Sequence, residues 1–250
     1  MRLSFAGRAR SYAARCIVVA IAFVVPVSSF AQSDDVPRPA VDLKPGTAHY
    51  TFTMQVAGGR AVPMDLVRTI KSEKGTWVVT ETTTIPGPGY VETDEVTVDK
   101  KTLRIRKRVL RDPGGVSELQ FSGHKVTGTI SNKTQRMPID ADLGTVIFAD
   151  GAGGQDVLAA LPLARNYSTE FRNFDISSQQ VKTLQLRVID EETVTVSAGT
   201  FDTWKALIVS LDGSGETYAL WVDKRSHRVV KMGISIPKLG DALAMGELTK

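Results

Sequence analysis

Polar and apolar residues alternate along most of this chain with a period of two. In "AHYTFTMQV", Tyr50, Phe52, Met54 and Val56 share one face, and Thr51, Thr53 and Gln55 take the other, as a half-buried strand requires. Gly58-Gly59 turns the chain, "AVPMDLVRTI" repeats the alternation through Val62, Met64 and Leu66, and "GTWVVTETTTI" follows until the "PGPG" at 86 to 89 ends it. Similar runs follow near 90 to 98, 103 to 111, 116 to 122, 125 to 131, 167 to 174, 181 to 196, 201 to 211, 216 to 223 and 228 to 236. Short connections favour antiparallel neighbours, because a parallel pair needs a long crossover.

One segment breaks the period. Gln155 to Leu161 is rich in Ala and Leu, has an acid near its start and is stopped by Pro162, which predicts a helix of about two turns. The "DGAGG" before it, residues 150 to 154, reads as a linker or as a loop inside one domain. About a dozen strands and one short helix predict an all-β, mainly antiparallel fold: a single curved meander sheet forming a partial barrel, with the helix near its mouth.

The ends of the chain refine this picture. Arg2, Arg8, Arg10 and Arg15 precede an apolar run from Cys16 to Val27 and a Ser29-Phe30-Ala31 exit, which predicts a cleaved signal peptide over residues 1–31 and a periplasmic protein. The run is too short to cross a bilayer as a helix, so no integral membrane protein is expected, and no Cys follows it to take a lipid anchor. "QSDDVPRPAVDLKPGT", residues 32–47, has three prolines and no apolar periodicity, and predicts an exposed lead-in to a β domain over 48–250. Removing residues 1–31 takes away four Arg and no acid, so the formal charge falls from +4 to zero and no nucleic-acid partner is indicated. The only cysteine, Cys16, leaves with them, which excludes disulfides, thiol catalysis and thiolate metal sites from the remainder.

Candidate chemistry is sparse. The basic run "KKTLRIRKRVLR", residues 100 to 111, reads as one arm of a charge-matched hairpin: with a turn at Lys100-Lys101, Val98 faces Leu103, Val96 faces Ile105, Glu95 faces Arg106 and Asp94 faces Lys107. His49, His124 and His227 show no metal spacing, and the latter two fall in turns where exposure is the default. Asp140, Asp142, Asp150 and Asp156 flank a loop but lack the order of a calcium loop, so no metal and no cofactor is expected. No nucleophile elbow or carboxylate pair stands out, and the chain reads as a non-enzyme. What remains is apolar. A sheet that curls without closing has a concave face too wide for its own side chains, which takes a covering helix or an apolar ligand. Trp77, Phe201, Trp204 and Trp221 are the expected ligand-binding residues.

"ETVTVSAGTFDTWK" followed by "ETYALWVDKRSHRVVKM" resembles a family of exported bacterial proteins catalogued as a domain of unknown function. The match lies on Ala198, Gly199, Phe201, Trp221, Val229, Val230 and Lys231, with Ser197 where members commonly have Pro. The resemblance implies a fold similar to the periplasmic lipoprotein-carrier (Lol-type) half-barrels and transfers no catalytic residue. Gly199 itself suits a corner needing positive φ or close backbone approach. The reading is therefore a periplasmic protein that binds or carries an apolar small molecule, a lipid or a lipoprotein acyl chain. Its rival is a structural or assembly factor of the cell envelope that binds another protein through a strand edge or the basic face at Arg104, Arg106 and Arg108.

Overall fold

In the computed structural model, residues 36–55, 59–87, 89–237 and 240–250 are described. The signal peptide expected over residues 1–31 lies outside them. The strands are β1 (Gly46–Gln55), β2 (Val62–Glu73), β3 (Thr76–Ile85), β4 (Tyr90–Asp99), β5 (Ile105–Asp112), β6 (Gly115–Ser122) and β7 (Lys125–Ser131), then β8 (Arg136–Asp142). Helix α1 (Gly154–Ala159) precedes β9 (Ser168–Asp175), β10 (Gln180–Val196), β11 (Gly199–Ser210), β12 (Thr217–Asp223), β13 (Val229–Ile236) and β14 (Ala242–Leu248). All twelve expected strands form, and β8 and β14 are added to them.

The 14 strands make one antiparallel sheet in the order β8-β7-β6-β5-β4-β3-β2-β1-β14-β13-β12-β11-β10-β9. Every pair joins neighbours in sequence except β1 with β14, where Tyr50 faces Leu248 and Phe52 faces Gly246. That pairing sets the first and last strands side by side in the middle of the sheet. It leaves β8 and β9, consecutive in the chain, at opposite edges, so residues 143–167 have to travel from one edge to the other.

This crossing segment fills much of the concave face. Phe148 forms a bridge with Arg104 next to β5, and its N–H donates to the Arg172 carbonyl of β9 at 2.8 Å. Phe121 on β6 meets Phe174 on β9 edge to face, with ring centroids 6.4 Å apart. Contacts between strands so far apart in the sheet order require the sheet to curl on itself, and the two edges approach without hydrogen-bonding: a partial barrel. A helix of six residues is too short to hold itself in water, so α1 depends on burial of Val157, Leu158 and Ala159 and of the following Leu161. Each large aliphatic side chain so buried contributes about 2 kcal/mol.

Two local expectations change. The lead-in is not wholly exposed: Pro37 and Leu43 are buried, and the N–H groups of Ala40 and Val41 both donate to the Ala160 carbonyl just beyond α1. The end of α1 offers carbonyls that no helix residue can use, and the lead-in takes one up. The β4–β5 register also differs, because a bulge between Thr97 and Val98 pairs Val98 with Ile105, Thr97 with Lys107 and Val96 with Arg108. Leu103 adopts φ 53 in the turn and is buried, instead of facing Val98. Among the described residues, no helix is long and apolar enough to cross a membrane.

Candidate functional site

Four charged residues run across adjacent strands on the concave face. Arg68 of β2 faces Glu81 of β3, and Glu81 faces Asp94 of β4. The bulge between Thr97 and Val98 sets Arg108 of β5 beside them, opposite Val96. Each arginine joins a sheet acid to an acid of the crossing segment. Arg68 Nε donates to Glu81 Oε1 at 2.6 Å while its Nη1 lies 2.8 Å from Asp156 Oδ2. Arg108 Nη2 lies 2.9 Å from Asp94 Oδ2, and its Nη1 donates to Asp150 Oδ1 at 3.3 Å. The sheet acids reach back to the crossing backbone: Ala152 N–H donates to Asp94 and Gly153 N–H to Glu81.

Gly153 carries φ 71, and a Cβ there would lie 2.5 Å from Val79, so the glycine-rich loop is a close-packing device. Beneath Arg68, the Tyr50 ring lies 5.1 Å from the guanidinium carbon, and its hydroxyl donates to the Val229 carbonyl at 2.9 Å. His227 Nδ1 sits 2.9 Å from the Ala159 carbonyl at the end of α1. A carbonyl can only accept, so that ring nitrogen carries the proton; the residue is half-buried, not exposed as its turn suggested.

Burial governs the charges of this belt. It lifts the Asp150 carboxyl to about 6, against the pull of Arg108 and with the help of Asp94. It raises Asp94 and Asp156 as well, opposed by Arg108 and Arg68 respectively. Burial works against the Arg68 and Arg108 charges too, but the neighbouring carboxylates outweigh it and hold both guanidiniums protonated. Arg108 is thus an internal clamp between Asp94 and Asp150, where the basic run had suggested one arm of a charge-matched hairpin. Its neighbour Arg106 does stay outside, paired with Asp99.

The belt and α1 lie between two cavities. One, of about 930 Å³, is lined by the lead-in, Tyr50, Arg68, Asp156, Ala160, Phe201 and the β12–β13 turn at Asp223–Arg228. The other, of about 830 Å³, has Arg108, Asp150, Gln155 and Leu158 on one side. Its remaining walls come from both halves of the sheet: Tyr90, Leu110, Ile130 and Met137 from β4 to β8, and Phe171, Phe174, Leu184, Ile208, Tyr218 and Leu220 from β9 to β12. The two arginines therefore face different chambers.

The four expected aromatic residues do not meet in either chamber. Trp77 is on the concave face, buried in the core with Lys100 over its ring at 4.6 Å. Phe201 borders the 930 Å³ cavity. Trp204 borders a smaller cleft of about 470 Å³, with Lys224 at 4.3 Å from its ring. Trp221 pairs in register with Lys205 and Lys231, one residue out of phase with buried Ala206, Leu220 and Met232, which puts it on the convex face. There its indole N–H donates to Glu192 at 2.6 Å. Asp140, Asp142, Asp150 and Asp156 do not converge either, since Asp150 and Asp156 are held by arginines and Asp140 pairs with Lys125. Among the described residues, no group of side chains could hold a metal ion.

Residues 40–245 match the family model described as Protein of unknown function (DUF3108), and the chain belongs to that family. No curated protein matches it. Among solved structures, it is similar to a DUF1089 family protein from Pseudomonas aeruginosa, with 14% identity over 70% of this chain and 90% of that one and a TM-score of 0.41. It is also similar to a Bacteroides fragilis protein described by its YmcC-like fold, with 13% identity over 86% and 99% of the two chains and a TM-score of 0.28.

Proposed function

We propose that this member of the DUF3108 family is an exported periplasmic protein that binds or carries an apolar molecule, a lipid or an acyl chain, without a catalytic step. The observation that carries the reading is the 830 Å³ chamber between the two halves of the sheet. Its size falls within the range of about 300 to 1,000 Å³ of small-molecule sites. Phe171, Phe174, Leu184, Ile208 and Leu220 supply apolar wall from one half, and Leu110, Ile130 and Met137 supply it from the other. Such surface gains about 25 cal/mol for each Å² that a ligand removes from water.

Export is supported by the four early arginines, the apolar run from Cys16 to Val27 and the Ser29-Phe30-Ala31 exit. The test is to purify the exported chain from its native compartment and extract it under denaturing conditions for mass spectrometry. A stoichiometric apolar molecule is the expected result. An empty protein that also fails to take up a fluorescent fatty acid would refute the reading.

A further inference from the structure

The second chamber has a different chemistry. Its acids are nearly all committed: Asp156 to Arg68, Asp223 to the N–H and hydroxyl of Ser226, and Asp202 to the Thr193 hydroxyl at 2.9 Å. Only Asp42, on the exposed side of the lead-in, has no such partner among the described residues.

The cations divide differently. Arg68 is spent on Glu81 and Asp156, and Lys224 on Glu191. Lys44, Arg225 and Arg228 line the same cavity and form no ion pair among the described residues. Arg228 lines this cavity together with Tyr50 and Asp156, and its charge is near enough to both to oppose the rise that burial causes in them. An uncommitted guanidinium beside a sheltered cavity is suited to a planar or tetrahedral oxyanion, which it can meet with two parallel N–H donors. Val41, Ile70 and Phe201 on the adjoining walls give an attached apolar group somewhere to lie.

We propose that the 930 Å³ cavity between the lead-in and the β12–β13 turn binds an anionic group, phosphate or carboxylate, on Arg228, with Lys44 and Arg225 at its rim. This site is separate from the apolar chamber and does not depend on it. The lead-in forms one wall through its hydrogen bonds to the Ala160 carbonyl, so the site is assembled from two ends of the domain sequence.

Calorimetric titration of the purified chain at low salt with phenyl phosphate, inorganic phosphate and benzyl alcohol tests this. Phenyl phosphate should bind and benzyl alcohol should not. R228E should weaken phenyl phosphate by at least about tenfold, K44E by less, and R228K should retain part of the affinity. Inorganic phosphate binding as well as the phenyl ester identifies a free anion as the ligand source, and preference for the ester identifies the headgroup of a larger amphiphile. Arg228 is exposed, so its variants should keep the wild-type melting temperature. R104E, a charge reversal at an exposed arginine that does not line the cavity, should leave binding unchanged. The proposal is overturned if phenyl phosphate does not bind, if benzyl alcohol binds equally well, or if R228E and R104E have the same effect.

Discussion

Arg68 Nη1 lies 2.8 Å from Asp156 Oδ2, and the arginine side chain is 1% exposed. This contact ties the helix that divides the concave face to the strand beneath it. Removing the arginine leaves Glu81 and Asp156 buried without a counter-charge, whereas removing both members of a buried pair with apolar replacement is much milder. R68M should therefore destabilise the chain by roughly 3–5 kcal/mol. R68M combined with E81L and D156L should recover most of that loss. Urea unfolding of both variants checks it; equal stability of R68M and wild type would show that the pair carries no weight.

The second clamp has a pH signature. Asp150 is buried against Arg108 and Asp94, and its carboxyl is lifted from the ordinary 3.8 to about 6. The folded state thus holds this proton more tightly than the unfolded chain does. Its contribution to stability is fully present below pH 3.8 and is lost as pH rises through about 6. D150N has no such proton, so it should gain on wild type by up to about 3 kcal/mol between pH 4 and pH 7.5. Unfolding free energies of the two proteins across that range give the difference directly, and a difference that stays flat with pH would contradict the assignment.

Two glycines separate backbone strain from steric contact. Gly199, at the corner between β10 and β11, has φ 140, and a Cβ there would meet nothing closer than the Phe201 ring at 3.6 Å. Gly128 has φ 139, and its Cβ would lie 2.0 Å from the Glu118 carbonyl oxygen of the neighbouring strand. Gly199→Ala should cost about 1 kcal/mol from conformation alone. Gly128→Ala should cost clearly more, because backbone cannot move aside as a flexible side chain can. Thermal melts rank the two, and the reverse order would be wrong for this geometry.

The strands that reading the sequence recovered are runs of period-two alternation bounded by clear turn residues. β8 escaped because its alternation, Met137, Ile139 and Ala141, is short and carries Pro138, which reads as a strand breaker except at a sheet edge, where β8 lies. β14 escaped because "ALAMGEL" has the composition of a helix and becomes a strand only through pairing with β1 and β13. The charged belt was partly visible. Arg68 follows Met64 and Leu66 at period two, Glu81 follows Trp77 and Val79, and Asp94 precedes Val96 and Val98, so three charges stand in the apolar phase of successive strands. Arg108 was hidden, because the bulge that turns it inward has no mark in the basic run around it. The aromatic residues scatter for a related reason: Trp221 is large, apolar and buried, yet the phase of β12 puts it on the convex face beneath Lys205 and Lys231, and a tryptophan by itself does not report which face it occupies.

That distinction gives the last prediction, which sets the apolar chamber against the aromatic residues. Met137 is half-buried on the edge strand β8 and lines the chamber. M137W should fill part of it from an edge strand that has no neighbour on its outer side. Uptake of a fluorescent fatty acid should fall severalfold, with the melting temperature nearly unchanged. W204L and W221L act on the 470 Å³ cleft and on the convex face and should leave uptake as it is. If W204L or W221L abolishes uptake and M137W does not, the ligand lies elsewhere on the sheet. If M137W alone blocks it, the space between the two sheet halves is the binding site.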